Sequence, residues 1–217
     1  MKRNVALALF SLCFFGYSED PGEASIELIE LLVSVPIYAA EFEHSTRDER
    51  GKSGQAQLGR VVFSRSHGFR WQIDKPFSQV MVAKHNALYV HDLDLEQLTV
   101  TKVSDLPDSA FSLLLMNASE ESLARFVVER SPAADESGGM GYLLEPKDNK
   151  SVFQKLRIYF VGRVMTRIEV VDHFGHQTEV LFRNPKTNQV VDLSEFELVV
   201  PEGTDVIGDV TNRDPSG

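Results

Sequence analysis

Apolar residues recur at every second position along most of this chain, and at helical spacing in only three short stretches. The first is "EASIELIELLVSVP" (23–36), where Ile26, Ile29, Leu32 and Val33 form a stripe with Glu27 and Glu30 opposite. Pro36 ends it, because the residue before a proline is pushed out of the α region. Alternation then predicts strands at 37–47, 55–65, 69–75, 79–84, 87–92 and 97–103. Short turns carrying Gly, Asn or Asp separate them, as in an antiparallel meander. Phe69, Trp71 and Ile73 share one face of their strand, with Arg70, Gln72 and Asp74 on the other. Leu98 and Val100 alternate with Gln97, Thr99 and Thr101 in the same way, so each strand is expected to bury one face and wet the other.

The alternation breaks at "SDLPDSAFSLLLMNASEESLARF" (104–126). Asp105 suits a helix N-cap with Pro107 in the first turn, and Leu106, Ala110, Phe111, Leu114 and Leu115 make an apolar stripe, predicting a helix over 105–115. Asn117 followed by Glu120 is a second start signal, for a short helix over 118–125. Strands resume at 126–131, 140–146, 153–160, 163–171 and 176–183, and a last apolar piece, "FELVVP", follows at 196–201. "SPAADESGGMG" and "EPKDNKS" read as loops. An antiparallel sheet of about eleven strands must twist and either close or fold over, and three amphipathic helices need an apolar surface to cover. The expected fold is mainly β: an unclosed antiparallel barrel, its open side covered by the N-terminal helix and the two short central helices.

The opening "MKRNVALALFSLCFFGYSED" has a different character. Lys2 and Arg3 precede an apolar run from 5 to 15, and Gly16 and Ser18 lie three and one positions before Glu19, the pattern of an export signal cleaved near Ser18. The run falls short of the about 20 residues that span a bilayer as a helix. Residues 1–18 are thus read as a signal peptide and 19–217 as one domain. Cleavage would remove the only cysteine, Cys13, which follows Leu12 rather than the small residue that a lipid-attachment site requires. An exported protein without cysteines suits a bacterial envelope better than a small secreted disulfide scaffold. Loss of Lys2 and Arg3 takes the formal charge from −10 to −12, which argues against nucleic acid and against anionic headgroups as partners.

Candidate chemistry is sparse. "DHFGHQ" (172–177) gathers Asp172, His173 and His176 on a hairpin turn, but a metal needs a third or fourth converging ligand and none is suggested. "HDLDLEQ" (91–97) has alternating acids, but a calcium loop begun at Asp92 would need a glycine where Gln97 stands and a glutamate where Val103 stands. The sequon-like "NAS" and "NKS" sit in polar loops, and no nucleophile elbow, phosphate loop or zinc motif occurs. The sequence therefore implies no cofactor and no enzymatic centre. One residue is anomalous. In "LGRVVFSRSHGFRWQI" (58–73), Val61 and Phe63 lie on one face of a strand and Arg65 is next in line on that face. A guanidinium keeps its charge, so it either curls from the strand end into solvent or finds acceptors inside.

The segment "FRWQIDKPFSQVMVAKHNALYVHDLDLEQLTV" (69–100), with the later "VVDHFGHQTEVLFRN" (170–184) and "FELVVPEGTDVIGD" (196–209), resembles the periplasmic outer-membrane lipoprotein carrier family, LolA. The resemblance runs through the mature chain in the family's order. It implies an unclosed β-barrel with an α-helical lid over a hydrophobic cavity. It also implies a chaperone that accepts acylated lipoproteins from an inner-membrane ABC transporter and delivers them to an outer-membrane receptor, as a monomer. Arg65 falls where that family places a cavity arginine that donates hydrogen bonds to the lid backbone, with the helices at 105–115 and 118–125 as lid. Phe63, Phe69, Trp71, Ile73, Phe111, Leu114 and Leu115 would line the lipid site, though packed cores alternate identically. His173 and His176 depart from the family pattern and are given no role. A same-fold paralogue for another lipid, a receptor or sensor domain, and an exported hydrolase stay open as alternatives.

Overall fold

A computed structural model describes residues 21–105, 119–132, 138–148 and 151–208. The chain begins with helix α1 (Pro21–Ser34) and runs through strands β1 (Ile37–Arg47), β2 (Gln57–Ser64), β3 (Gly68–Lys75), β4 (Gln79–Lys84), β5 (Ala87–Asp92) and β6 (Gln97–Lys102). A 3-10 turn (Val103–Asp105) follows β6, and the chain is next described at helix α2 (Glu120–Leu123). Then come β7 (Phe126–Pro132), β8 (Met140–Pro146), β9 (Phe153–Val161), β10 (Val164–Asp172), β11 (Gln177–Thr187), a 3-10 turn (Leu193–Phe196) and β12 (Asp205–Gly208). All twelve strands form one sheet in the order β12-β6-β5-β4-β3-β2-β1-β11-β10-β9-β8-β7, which leaves β12 and β7 as its edges. The first and second halves of the meander meet where β1 pairs with β11.

The turns carry the expected chemistry. His85 and Asn86 both have positive φ (50° and 66°), as the two-residue turn between β4 and β5 demands. Asp172 Oδ1 accepts hydrogen bonds from the backbone N–H of Phe174 and His176, which fastens the β10–β11 hairpin. Gly59 is required for another reason: a Cβ there would lie 2.0 Å from the Gln72 carbonyl oxygen and 2.7 Å from the Phe42 ring. The missing side chain lets Phe42 stack on Trp71, with ring centroids 3.8 Å apart.

Four expectations need correction. The helix over 118–125 shrinks to Glu120–Leu123, and its N-cap is Ser119 rather than Asn117: Ser119 Oγ accepts from Ser122 N while Ser122 Oγ accepts from Ser119 N. The about eleven antiparallel strands become twelve: the addition is "DVIG", which runs parallel to β6, while the apolar piece "FELVVP" begins with the end of a 3-10 turn. On α1 the buried residues are Ala24 and Leu28, with Leu31 and the predicted Ile29 and Leu32 partly buried against the core, whereas the predicted Ile26 and Val33 are 54% and 45% exposed. At 3.6 residues per turn the stripe through Ala24, Leu28 and Leu31 and the predicted one are centred about 140° apart, yet both fit helical spacing, so spacing alone does not choose between them.

The fourth correction concerns the wet face. Direct pairing puts Arg70, Val82, Tyr89 and Val100 on one face and Trp71, Met81, Val90 and Thr99 on the other. Trp71, Val61, Phe42 and Phe182 face the barrel interior, so Leu98 and Val100 point outwards, yet both are buried. The C-terminal segment from 193 to 201 covers part of that outer face. Arg60 Nη1 bonds Glu195 Oε2 at 2.7 Å, and Arg70 Nη1 donates to the carbonyls of Glu195 and Glu197 at 3.3 and 3.1 Å. Phe196 is buried in the same contact. The sheet thus has a main core inside the barrel and a smaller apolar layer outside β2–β6. The helix predicted over 105–115 lies almost wholly outside the described residues, as do residues 1–20.

Candidate functional site

Inside the curve of the sheet the aromatic residues meet. Trp71 stacks on Phe42, lies 6.3 Å from Phe69, and meets Phe182 edge-on at 6.5 Å. Beside this stack is an apolar cavity of about 70 Å3, lined by Phe63, Phe69 and Trp71 together with Leu31, Leu32 and Val35 from α1 and the linker after it. Tyr38, Val61, Phe160, Met165 and Phe182 complete its apolar walls, and Arg65 and Arg163 also line it. Tyr38 is held by a 2.7 Å hydrogen bond from its hydroxyl to the Met165 carbonyl, and burial pushes its pKa well above the ordinary value. Such a volume admits a few water molecules and is far too small for a long acyl chain.

Arg65 joins the site to its cover. It sits just past the end of β2, and its backbone N–H donates to the Pro36 carbonyl at 2.9 Å. Its Nη2 donates to the Leu32 carbonyl at 2.7 Å. Leu32 is in the last turn of α1, where carbonyls lack intrahelical partners and the helix dipole is negative, so a cation is the favoured cap. The guanidinium carbon also lies 5.6 Å from the centre of the Phe63 ring. Burial lowers the guanidinium pKa from its ordinary value but leaves the group charged. Arg65 therefore faces inwards, and the carbonyl it reaches among the described residues belongs to the N-terminal helix rather than to α2.

The other half of α1 is fastened by a second arginine. Arg130, on the inner face of β7 opposite Tyr142, donates from Nε to Glu27 Oε2 at 2.6 Å and has Nη2 3.3 Å from Glu23 Oε1. Burial raises the Glu27 pKa, but the Arg130 hydrogen bond, the nearby Tyr142 hydroxyl and the Arg130 charge together outweigh it and hold the carboxyl below its ordinary value. Two arginines from opposite arms of the sheet thus clamp one helix over the cavity. Neither Glu27, assigned to the wet face of α1, nor Arg130 was singled out by the sequence. Their link spans 103 residues, and no local pattern points to it.

Of the residues expected at the site, Phe63, Arg65, Phe69 and Trp71 come together around the cavity. Ile73 belongs to the surrounding core. Phe111, Leu114 and Leu115 fall outside the described residues. On the far side of Phe63, Arg65 and Phe69 lies an open concavity of about 1160 Å3, whose described walls include His67, Lys84, Ser122, Arg125 and Phe196. Among the described residues no group of three His, Cys, Asp or Glu side chains is arranged to hold a metal ion. His173 Nε2 lies 2.9 Å from the Ser151 carbonyl oxygen and His176 Nδ1 2.8 Å from Asp172 Oδ2, so both histidines brace their turn.

Residues 34–199 match the family model described as "Outer membrane lipoprotein carrier protein LolA". An outer-membrane lipoprotein carrier protein of Azotobacter vinelandii is 31% identical over 95% of this chain and 99% of its own. One from Chromohalobacter salexigens is 30% identical over 83% of this chain and 84% of its own. Among solved structures, an uncharacterized conserved protein from Thermus thermophilus superposes with a TM-score of 0.53 at 12% identity, covering 87% of this chain and 99% of its own. MucB gives a TM-score of 0.52 at 10% identity, covering 82% of this chain and 63% of its own. Both likenesses concern the fold alone.

Proposed function

The chain belongs to the outer-membrane lipoprotein carrier family, LolA, and we propose that it carries acylated lipoproteins across the periplasm with their acyl chains in the cavity beneath α1. The observation that carries this reading is the apolar cavity closed by a helix that polar bonds, rather than packing alone, hold in place. Each acyl methylene taken out of water is worth about 0.8 kcal/mol, so a lipid chain binds strongly once admitted. Admission requires α1 to lift, which breaks the Arg65–Leu32 bond. Re-forming that bond, and repacking α1 on the lining, opposes the cargo and favours its release. Cargo and helix compete for the same apolar surface, and no covalent step is needed.

The route follows from the same reading. An export signal cleaved near Ser18 delivers the mature domain, residues 19–217, to the periplasm. An inner-membrane ABC transporter loads it and an outer-membrane receptor unloads it. The test is to incubate the mature protein with spheroplasts of its source organism. Newly made outer-membrane lipoproteins are expected in the soluble fraction as one-to-one complexes with the carrier. A folded protein that releases none from spheroplasts with an active transporter would overturn the carrier reading and favour a paralogue for another lipid. Amino-terminal sequencing of the exported protein checks the cleavage position.

A further inference from the structure

Far from α1, the turns at the other end of the β2–β6 meander expose an unusual set of side chains. Phe77 is 68% exposed, Leu95 70%, Leu93 44% and Leu58 45%, with Val199 of the covering segment 86% exposed. Scattered surface apolar residues need no explanation, but these sit on adjoining turns. The β3–β4 and β5–β6 turns are joined by hydrogen bonds from Leu93 N to the Ser78 carbonyl (3.1 Å) and from Ser78 N to Asp94 Oδ2 (3.3 Å). Leu93 and Val199 line one shallow groove, and Leu58 pairs with Lys75 at the end of β3. Leu95 N donates to Asp92 Oδ1 at 3.0 Å, so the tip is internally braced. A braced apolar tip loses little entropy on binding, and an exposed aromatic is a common anchor of interfaces.

The charge around the tip selects the partner. Asp74, Asp92, Asp94 and Glu96 stand on the two turns or the strand ends beside them, and Asp205 is tied to Glu96 by a 2.9 Å backbone bond. Against these five carboxylates Lys75 is the one lysine or arginine of the two turns and their flanking strand ends. Arg60 and Arg70, which line the adjoining groove, are bonded respectively to the Glu195 carboxylate and to the Glu195 and Glu197 carbonyls. We infer that this tip is a docking surface for a protein partner presenting an apolar pocket rimmed by lysine and arginine. A second copy of the chain would bring one acidic ring against another, and an anionic lipid surface would be repelled in the same way. The surface lies apart from the cavity. The inference rests on the carrier reading only in that a carrier's partners are sought in membranes.

The experiment is co-sedimentation of the mature protein with membrane vesicles of its source organism, beside protein-free vesicles of neutral and of anionic phospholipid. Two double variants are compared with wild type: Phe77→Ser/Leu95→Ser, which removes the anchors, and Asp74→Lys/Glu96→Lys, which reverses the ring. All four positions are at the surface, and thermal melts confirm folding. The proposal expects binding to native vesicles that protease treatment of the vesicles abolishes. It should also weaken at least about tenfold in each variant and on raising salt from about 0.05 to 0.5 M, as a screened charge pair should. Equal binding to protein-free vesicles, equal binding by both variants, no binding by wild type, or self-association that the variants abolish would each overturn it. Uptake of a fluorescent acyl probe, measured in parallel, separates the two readings: its failure in wild type counts against the carrier reading alone, whereas lost docking with intact uptake supports the proposal.

Discussion

Replacing Arg65 by leucine tests the clamp most directly. The substitution removes a charge-assisted hydrogen bond of 2.7 Å to the Leu32 carbonyl, a class of bond worth about 1.5–3 kcal/mol. It also removes a contact with the Phe63 ring at 5.6 Å, worth about 0.5–1 kcal/mol when partly exposed. Against this, leucine sheds the desolvation cost that lowers the arginine's pKa, and adds apolar area to the lining. A net loss of about 2 kcal/mol from the closed state is the resulting expectation, which at 1.4 kcal/mol per decade is about thirtyfold in the closed-to-open ratio. Apparent cargo affinity scales with the fraction of open carrier, so Arg65→Leu should bind an acyl chain up to about thirtyfold more tightly. The empty variant should melt about 4–8 °C lower, the scale for a chain of this size. The assay is equilibrium titration with an environment-sensitive acyl fluorophore, followed by transfer of the loaded protein to acceptor vesicles. Tighter binding with slower release is the expected pair of results. Weaker or unchanged binding by a folded variant would refute the competition between helix and cargo, whatever its melting temperature.

Other consequences can be checked without cargo. Gly59→Ala should destabilise the protein by about 1–3 kcal/mol, because the new methyl meets a backbone oxygen that cannot withdraw and displaces the Phe42 ring from Trp71; denaturant melts and tryptophan fluorescence report both. Glu27, whose carboxyl is held below its ordinary value in the fold, contributes stability above the unfolded-state pKa of about 4.3 and loses it as pH falls through the folded value. Glu27→Gln should therefore cost about 1 kcal/mol or less near neutrality, since the pair is partly solvated, and nothing in strong acid; melting curves across pH measure the convergence. Phe196→Ala should cost about 3–5 kcal/mol and expose the segment from 193 to 201 to limited proteolysis, because that buried ring pins the outer cover to the sheet. An uncleaved segment in the folded variant would show that Arg60 and Arg70 suffice to hold it.

The strands were legible because their signal is local. Alternation located β1 to β11 within about three residues at every end but the last of β11, where "NPKT" continues a strand that composition does not favour. That Phe69 and Trp71 share one face was legible too, since residues two apart on a strand point the same way. Period two does not say which face points inwards. Leu98 and Val100 alternate just as Trp71 does, yet pairing through β4 and β5 puts them on the outer face, part of which the segment from 193 to 201 covers.

By itself the sequence determined the class of fold, the paired strands, the aromatic stripe and the presence of a charge where a charge is costly. The tertiary structure decided which groups that charge meets. The guanidinium of Arg65 needs an acceptor, and the last turn of a helix offers unpaired carbonyls, but Leu32 is 33 residues away and Arg130 lies 103 residues from its own partner. Contacts at such separations leave no periodicity in the chain, because they depend on how far the sheet curls. A cavity and a packed core are likewise written in the same alternating residues, and only the curvature of the barrel, with a helix clamped across it by polar bonds, leaves room between them.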